Sequence, residues 1–147
     1  MFGLGARVQP MGNFSFSVDY DRVLYSRLKD DYISFQVADS VKSRIDIADG
    51  NEVHIGAEYV FTSVAHTPSI RGGLWYDPDH SVHYTSDGTN SVQDLQLKAI
   101  FPGGDNVAHY CFGVGVPVSP AFEFNVGADL AKNRHYVSGS VVARFGK

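Results

Sequence analysis

One cysteine, Cys111, stands in 147 residues, and a single thiol closes no internal disulfide, so cysteine usage reveals no redox compartment. Charge is sparse too. Asp, Glu, Lys and Arg make up 19% of the chain and leave a net charge of −4, which supplies no basic field for nucleic acid. No apolar run approaches the roughly 18 residues that a spanning helix needs. A membrane route therefore leaves only the β-barrel, whose strands give a much weaker signal per segment. The opening MFGLGARVQP has neither a basic n-region nor an apolar h-region, so an exported protein would carry its leader ahead of these residues.

Catalytic anchors are missing as well. Serines are plentiful, but no GxSxG elbow occurs to carry a hydrolase nucleophile. The tracts GVGV and FPGG lack the GxGxxG spacing and the P-loop lysine, and they read as lumen-facing or turn glycines. His80 and His83 share a loop without a third ligand, while His54, His66, His109 and His135 are scattered, short of the ligand count a metal site requires. The chain is expected to be no enzyme and to use no cofactor.

What is present is aromatic and glycine-rich, with fifteen Gly, eight Tyr and ten Phe, a balance that points to an all-β chain. Residues 110 to 145 carry the pattern most clearly. In FEFNVGADL, Phe122, Phe124, Val126, Ala128 and Leu130 fall on one side of a strand, and Glu123, Asn125, Gly127 and Asp129 on the other, because successive side chains alternate. The run before it sets Tyr110, Phe112, Val114, Val116 and Val118 against Cys111, Gly113, Gly115 and Pro117. The run after it sets Val137, Gly139, Val141, Ala143 and Phe145 against Ser138, Ser140 and Arg144. Three adjacent strands thus share one apolar surface.

Earlier segments repeat the theme. Residues 2–9 alternate up to a tight turn at PMGN. NFSFSVDYDRVLYS follows, its phase breaking near Arg22 and Val23 as at a bulge. EVHIGAEYVF at 52–61 and IRGGLWYD at 70–77 supply two more strands. Between them lie the turn TSVAHTPS and, on either side of the pair, long loops at about 29–51 and 78–108. Within the second loop, VQDLQLKAIF at 92–101 fits an eighth strand, an extension or a short helix, since period alone does not separate them.

Seven strands are therefore joined by short turns at PMGN, TSVAHTPS and SPA, by the two long loops, and by the brief link AKNRH. If connections alternate between two rims, the three turns share one rim and both long loops the other, the asymmetry of outer-membrane barrels. About ten residues rising roughly 3.3 Å each at a 45° tilt cover about 23 Å, close to the apolar band of roughly 25 Å around such barrels. The apolar side of the best-patterned strands carries no Lys, Arg, Asp or Glu, where a midplane Lys or Arg would cost about 2–4 kcal/mol. Arg7, Asp19, Asp21, Glu58, Arg71, Glu123, Asp129 and Arg144 all fall on the other side. The expected fold is an all-β, antiparallel transmembrane β-barrel or partial barrel of seven to eight up-and-down strands, spanning residues 1–147 as a single segment.

The tracts GLWYDPDH and FPGGDNVAHYCFGVGVPVSPAFEFNVGADL, with a last strand ending VVARF, resemble the C-terminal half of the FadL/TodX-type outer-membrane transporters of long-chain fatty acids and aromatic hydrocarbons. The opening GLGARVQPMGNFSFSVDYDRVLYS resembles an earlier hairpin of that half. The resemblance implies a fourteen-stranded barrel of which seven strands are here. It implies passive uptake of hydrophobic small molecules across a Gram-negative outer membrane. The implied partners are membrane lipid, the hydrophobic ligand, the barrel-assembly machinery and the missing N-terminal half of the barrel. This sequence departs from the family in lacking its plug and first half, and in ending Phe145, Gly146, Lys147 instead of on the terminal aromatic. Open edges would be left if the seven strands stood alone, which lipid does not tolerate.

Two readings of the lumen residues Arg7, Glu58, Arg71, Trp75, Glu123, Asp129 and Arg144 stand side by side. In one they are a solvated, mutually paired interior. In the other, Arg71 and Arg7, with Trp75 on the same inward side, hold the carboxylate and chain of an amphipathic ligand, a carboxylate being suited to a bidentate guanidinium. Two other functions fit the alternation: a small eight-stranded structural or adhesin barrel using 92–101 as its extra strand, its interior filled by side chains, and a soluble lipocalin-like binding barrel with its apolar faces turned inward.

Overall fold

The computed structural model describes residues 1–31, 39–132 and 134–145. In chain order the elements are β1 (Phe2–Met11), β2 (Phe14–Val23), α1 (Arg27–Asp31), α2 (Asp39–Lys42), β3 (Ile45–Ile47), β4 (Gly50–Val60), β5 (Ser69–Asp77), β6 (Val82–Tyr84), α3 (Val92–Ile100), β7 (Val107–Pro117), β8 (Phe122–Ala131) and β9 (Arg134–Ala143). The chain divides into two compact units. One comprises residues 3–20, 53–76 and 107–147, and the other residues 1–2, 21–52 and 77–106.

All seven alternating segments are strands of one sheet, ordered β1-β2-β4-β5-β7-β8-β9. Each of the seven pairs with the next along the chain, as hairpin turns and up-and-down connections dictate. Register follows from the turns. β8 pairs β9 from Phe122↔Ala143 to Ala131↔Arg134, and β7 pairs β8 from His109↔Ala131 to Pro117↔Glu123. β4 pairs β5 from Val53↔Tyr76 to Val60↔Ser69, and the Val60 amide donates to the Asn13 carbonyl at 2.8 Å to seat β4 beside the β1–β2 turn. β2 extends through Arg22 to Val23. Asn133, in the link between β8 and β9, lies outside the described residues, as do Gly146 and Lys147.

No closed barrel is seen among the described residues: β1 and β9 are the two edges of the sheet. The fold is all-β and antiparallel, and it is open. Its apolar side is bare. Val126 in the middle of β8 is 60% exposed, and Phe112, Phe124, Leu74, Ile70 and Leu4 are exposed with it. Glu123 and Asp129, on the opposite side of β8, are the more covered. Among the described residues the apolar side is not packed against other side chains, as a lipocalin-like interior would be.

The two long connections are not loops throughout. Around residues 32–38, which lie outside the described residues, the first connection carries α1, α2 and β3, and the second carries β6 and α3. β3 and β6 pair antiparallel from Ile45↔Tyr84 to Ile47↔Val82. Ile45, Tyr84 and Leu97 form a small core against which Val41, Val82 and Phe101 pack. Residues 92–100 are helical, so the extra strand of an eight-stranded barrel is not there. The reason is local: the Ser91 side chain accepts a hydrogen bond from the Asp94 amide and caps α3, and Lys98 sits one turn on from Asp94 at 3.1 Å.

Candidate functional site

The polar side of the sheet is where chemistry gathers. Because directly opposed residues share a side of the sheet, the alternation within each strand and the register between strands bring Arg7, Glu58, Arg71, Glu123 and Arg144 into one row. An Arg7 Nη donates to Glu58 Oε2 at 3.2 Å and to Ser15 Oγ at 2.9 Å. Arg71 Nε donates to the other Glu58 oxygen at 2.8 Å, its Nη1 to Asn125 Oδ1 at 2.9 Å, and its Nη2 to Glu123 Oε1 at 3.5 Å. Arg144 completes the row at 2.6 Å from Glu123 Oε2. Cation and anion alternate from β1 across to the residue just after β9.

Glycine makes one strand-crossing step of that row possible. Arg71 is on β5 and Asn125 on β8, with β7 between them, and the β7 residue at that point is Gly115. A Cβ on Gly115 would stand 2.7 Å from Asn125 Oδ1, 2.9 Å from Ser69 Oγ and 3.3 Å from an Arg71 Nη. The missing side chain is the gap through which the guanidinium reaches. Small residues continue beside the row, among them Ser17, Gly56, Gly73, Gly113, Gly127 and Ser138, and they border a cavity of about 520 Å³.

A second group lies further along the same side. The Trp75 indole stacks on His109 at 3.9 Å between ring centroids and on His54 at 5.3 Å. His109 Nδ1 is 2.9 Å from both Asp129 oxygens, which places its proton on that nitrogen. Its Nε2 is buried without a protein partner. The neighbouring thiol, Cys111, is partly buried. With Nε2 buried, the imidazole is held between the Trp75 ring and the Asp129 carboxylate.

In the other unit, the Tyr25 hydroxyl donates to Glu52 at 2.8 Å and its ring stacks on His80 at 4.4 Å. Burial, then the hydrogen bond to Glu52 and the Glu52 charge, push the phenol up to about 12. Asp49 accepts from the Ser26 amide at 3.0 Å and pairs with Arg22 at 3.1 Å. Those Ser26 hydrogen bonds, with Arg22 adding to them, hold its carboxyl below the usual range. Burial pushes Asp79 up, but hydrogen bonds from Ser81 and the Gly104 amide outweigh it and bring the group below its ordinary value. Asp94 behaves alike, burial being outweighed by Ser86 and Lys98. No group of three metal-ligating side chains occurs among the described residues.

Of the residues singled out in the sequence, Arg7, Glu58, Arg71, Glu123 and Arg144 come together, and Asp129 and Trp75 belong to the aromatic group instead. Trp75 is four residues along β5 from Arg71, about 13 Å at roughly 3.3 Å per residue. One ligand head group cannot touch both. Each nitrogen of the Arg71 guanidinium already has a protein acceptor, so an incoming carboxylate would have to take the remaining N–H on Nη1 and Nη2 or displace Glu58, Asn125 or Glu123. Sequence reasoning does not mark His54, His109, Ser15, Asn125 or Gly115 as site residues. Their polar-side positions are visible in the alternation, but only the register between strands joins them. No family model, curated protein or solved structure matches the chain.

Proposed function

We propose that this chain forms part of the wall of an outer-membrane β-barrel that admits hydrophobic small molecules, such as long-chain fatty acids, by passive passage. The observation that carries the reading is the inversion of the sheet. Phe112, Phe124, Val126 and Leu74 stand exposed, and the arginines and carboxylates pair with one another on the opposite side. In water that leaves a large apolar surface without a cover, which monomeric soluble proteins avoid. Against hydrocarbon it is the favourable arrangement, with the charged row facing an aqueous lumen. The substrate class comes from the resemblance of the strand phrasing to fatty-acid and hydrocarbon transporters. No cofactor or nucleotide is needed for such passage.

Two measurements test it. The protein should be recovered in the outer-membrane fraction of the cells that make it, and those cells should take up radiolabelled oleate faster than cells from which the gene has been deleted. Recovery in the aqueous fraction removes the membrane reading. Equal uptake removes transport while leaving the barrel wall intact.

A further inference from the structure

The charged row ends in arginine on both sides. Arg7 lies on edge strand β1 and Arg144 directly follows edge strand β9, and their side chains are 63% and 53% exposed, against 24% and 15% for the two glutamates they bracket. Each terminal arginine has a carboxylate on its inner side. Among the described residues, neither has one toward the open edge. Three arginines against two carboxylates leave the row with one positive charge.

Strand direction adds a second constraint. With seven strands each antiparallel to its neighbour, β1 and β9 point the same way. A second copy in the same orientation across a bilayer would offer its β9 parallel to β1, and RHYVSGSVVA contains no Asp or Glu. A copy paired through β1 itself would offer FGLGARVQPM, which contains none either. Whatever the register, neither added strand sets a carboxylate of its own opposite an edge arginine.

Building on the barrel-wall reading, we propose that each edge takes a further antiparallel strand of a sequence other than this one, whose lumen-facing residue beside Arg7, or beside Arg144, is Asp or Glu. The alternation of cation and anion then runs on past the seven strands. The edge amides and carbonyls supply the hydrogen bonds common to any added strand. The arginines supply the choice of partner and its register, as charge complementarity does at interfaces.

The test uses the full chain folded in detergent micelles and two synthetic ten-residue strand peptides of alternating apolar and polar residues. The peptides are identical except for Glu or Lys at the lumen-facing position level with Arg7. The Glu peptide should bind at least about fivefold more tightly by fluorescence anisotropy, and raising the salt should narrow the gap, as screening requires. Arg7→Gln should abolish the preference and Arg7→Glu should reverse it. Equal binding of the two peptides, or binding of neither, overturns the inference. Vesicle flotation separates the two levels. A chain that floats with lipid but shows no charge preference overturns only this proposal, and a chain that stays in the aqueous phase overturns the barrel wall as well.

Discussion

At the scale of single residues, glycines on the two sides of the sheet have opposite jobs. Gly115 faces the charged row, where a Cβ would press on Asn125, Ser69 and Arg71 at once. Gly115→Ala should therefore cost about 1–3 kcal/mol through overpacking, and it should release the Arg71 guanidinium from Asn125. Gly72 is on the apolar side with nothing within 4 Å of its would-be Cβ. Gly72→Ala should be neutral or stabilise by about 0.4–1 kcal/mol, because it narrows the unfolded ensemble. Urea unfolding of both variants in micelles checks the contrast, and equal effects would remove the packing account of Gly115. Asp94 gives a pH dependence of known sign. Its carboxyl is held below the ordinary value of about 3.9, so its contribution to stability is present above that pH and is lost as pH falls through the lower folded value. Hydrogen exchange at the α3 amides should accelerate in that acid window, and Asp94→Asn should flatten the dependence.

At the scale of elements, the seven strands were legible and the long connections were not, and one physical difference explains both. A strand with one side bare and one side polar must alternate at every step, so Phe122, Phe124 and Val126 against Glu123, Asn125 and Gly127 mark it out, although β7 begins three residues before Tyr110 and β9 takes in Arg134 and His135 of the link AKNRH. The connections have a core of only Ile45, Tyr84 and Leu97, and a three-residue strand such as β3 leaves no period to read. Within α3, LQLKAIF alternates well enough for a strand. The cue that favours a helix is the Ser91-x-x-Asp94 cap with Asp94 and Lys98 one turn apart, a pairing of signals that outweighs a short period. The charged row was half legible, since alternation puts each member on the polar side but does not tell that Arg71 reaches across β7. A nine-residue helix is too short to hold itself in water. Ser91→Ala should thus cost about 1 kcal/mol and Leu97→Ala about 2–3 kcal/mol. Both losses should appear as reduced exchange protection across α3, β3 and β6 together, and protection lost in α3 alone would show that these elements do not form one cooperative unit.

At the scale of the whole molecule, the question is which medium meets the apolar side, and a depth profile answers it more sharply than any single substitution. Val126 lies opposite Val114 and Gly139 in the middle of the strands, and Phe122 lies opposite Ala143 where β8 begins. Both are exposed, so in water an arginine at either place would change stability by no more than about 0.5 kcal/mol. Hydrocarbon breaks that equality. Arginine costs about 2–4 kcal/mol at a bilayer midplane and about 0–1 kcal/mol near the interface, so Val126→Arg should be penalised heavily and Phe122→Arg hardly at all. Phe124→Arg, between them, should be intermediate. Equilibrium unfolding of the three variants in lipid vesicles measures the gradient directly. A flat profile would mean that the exposed residues of β8 do not sit at graded depths in a membrane, and the sheet would then need another apolar cover.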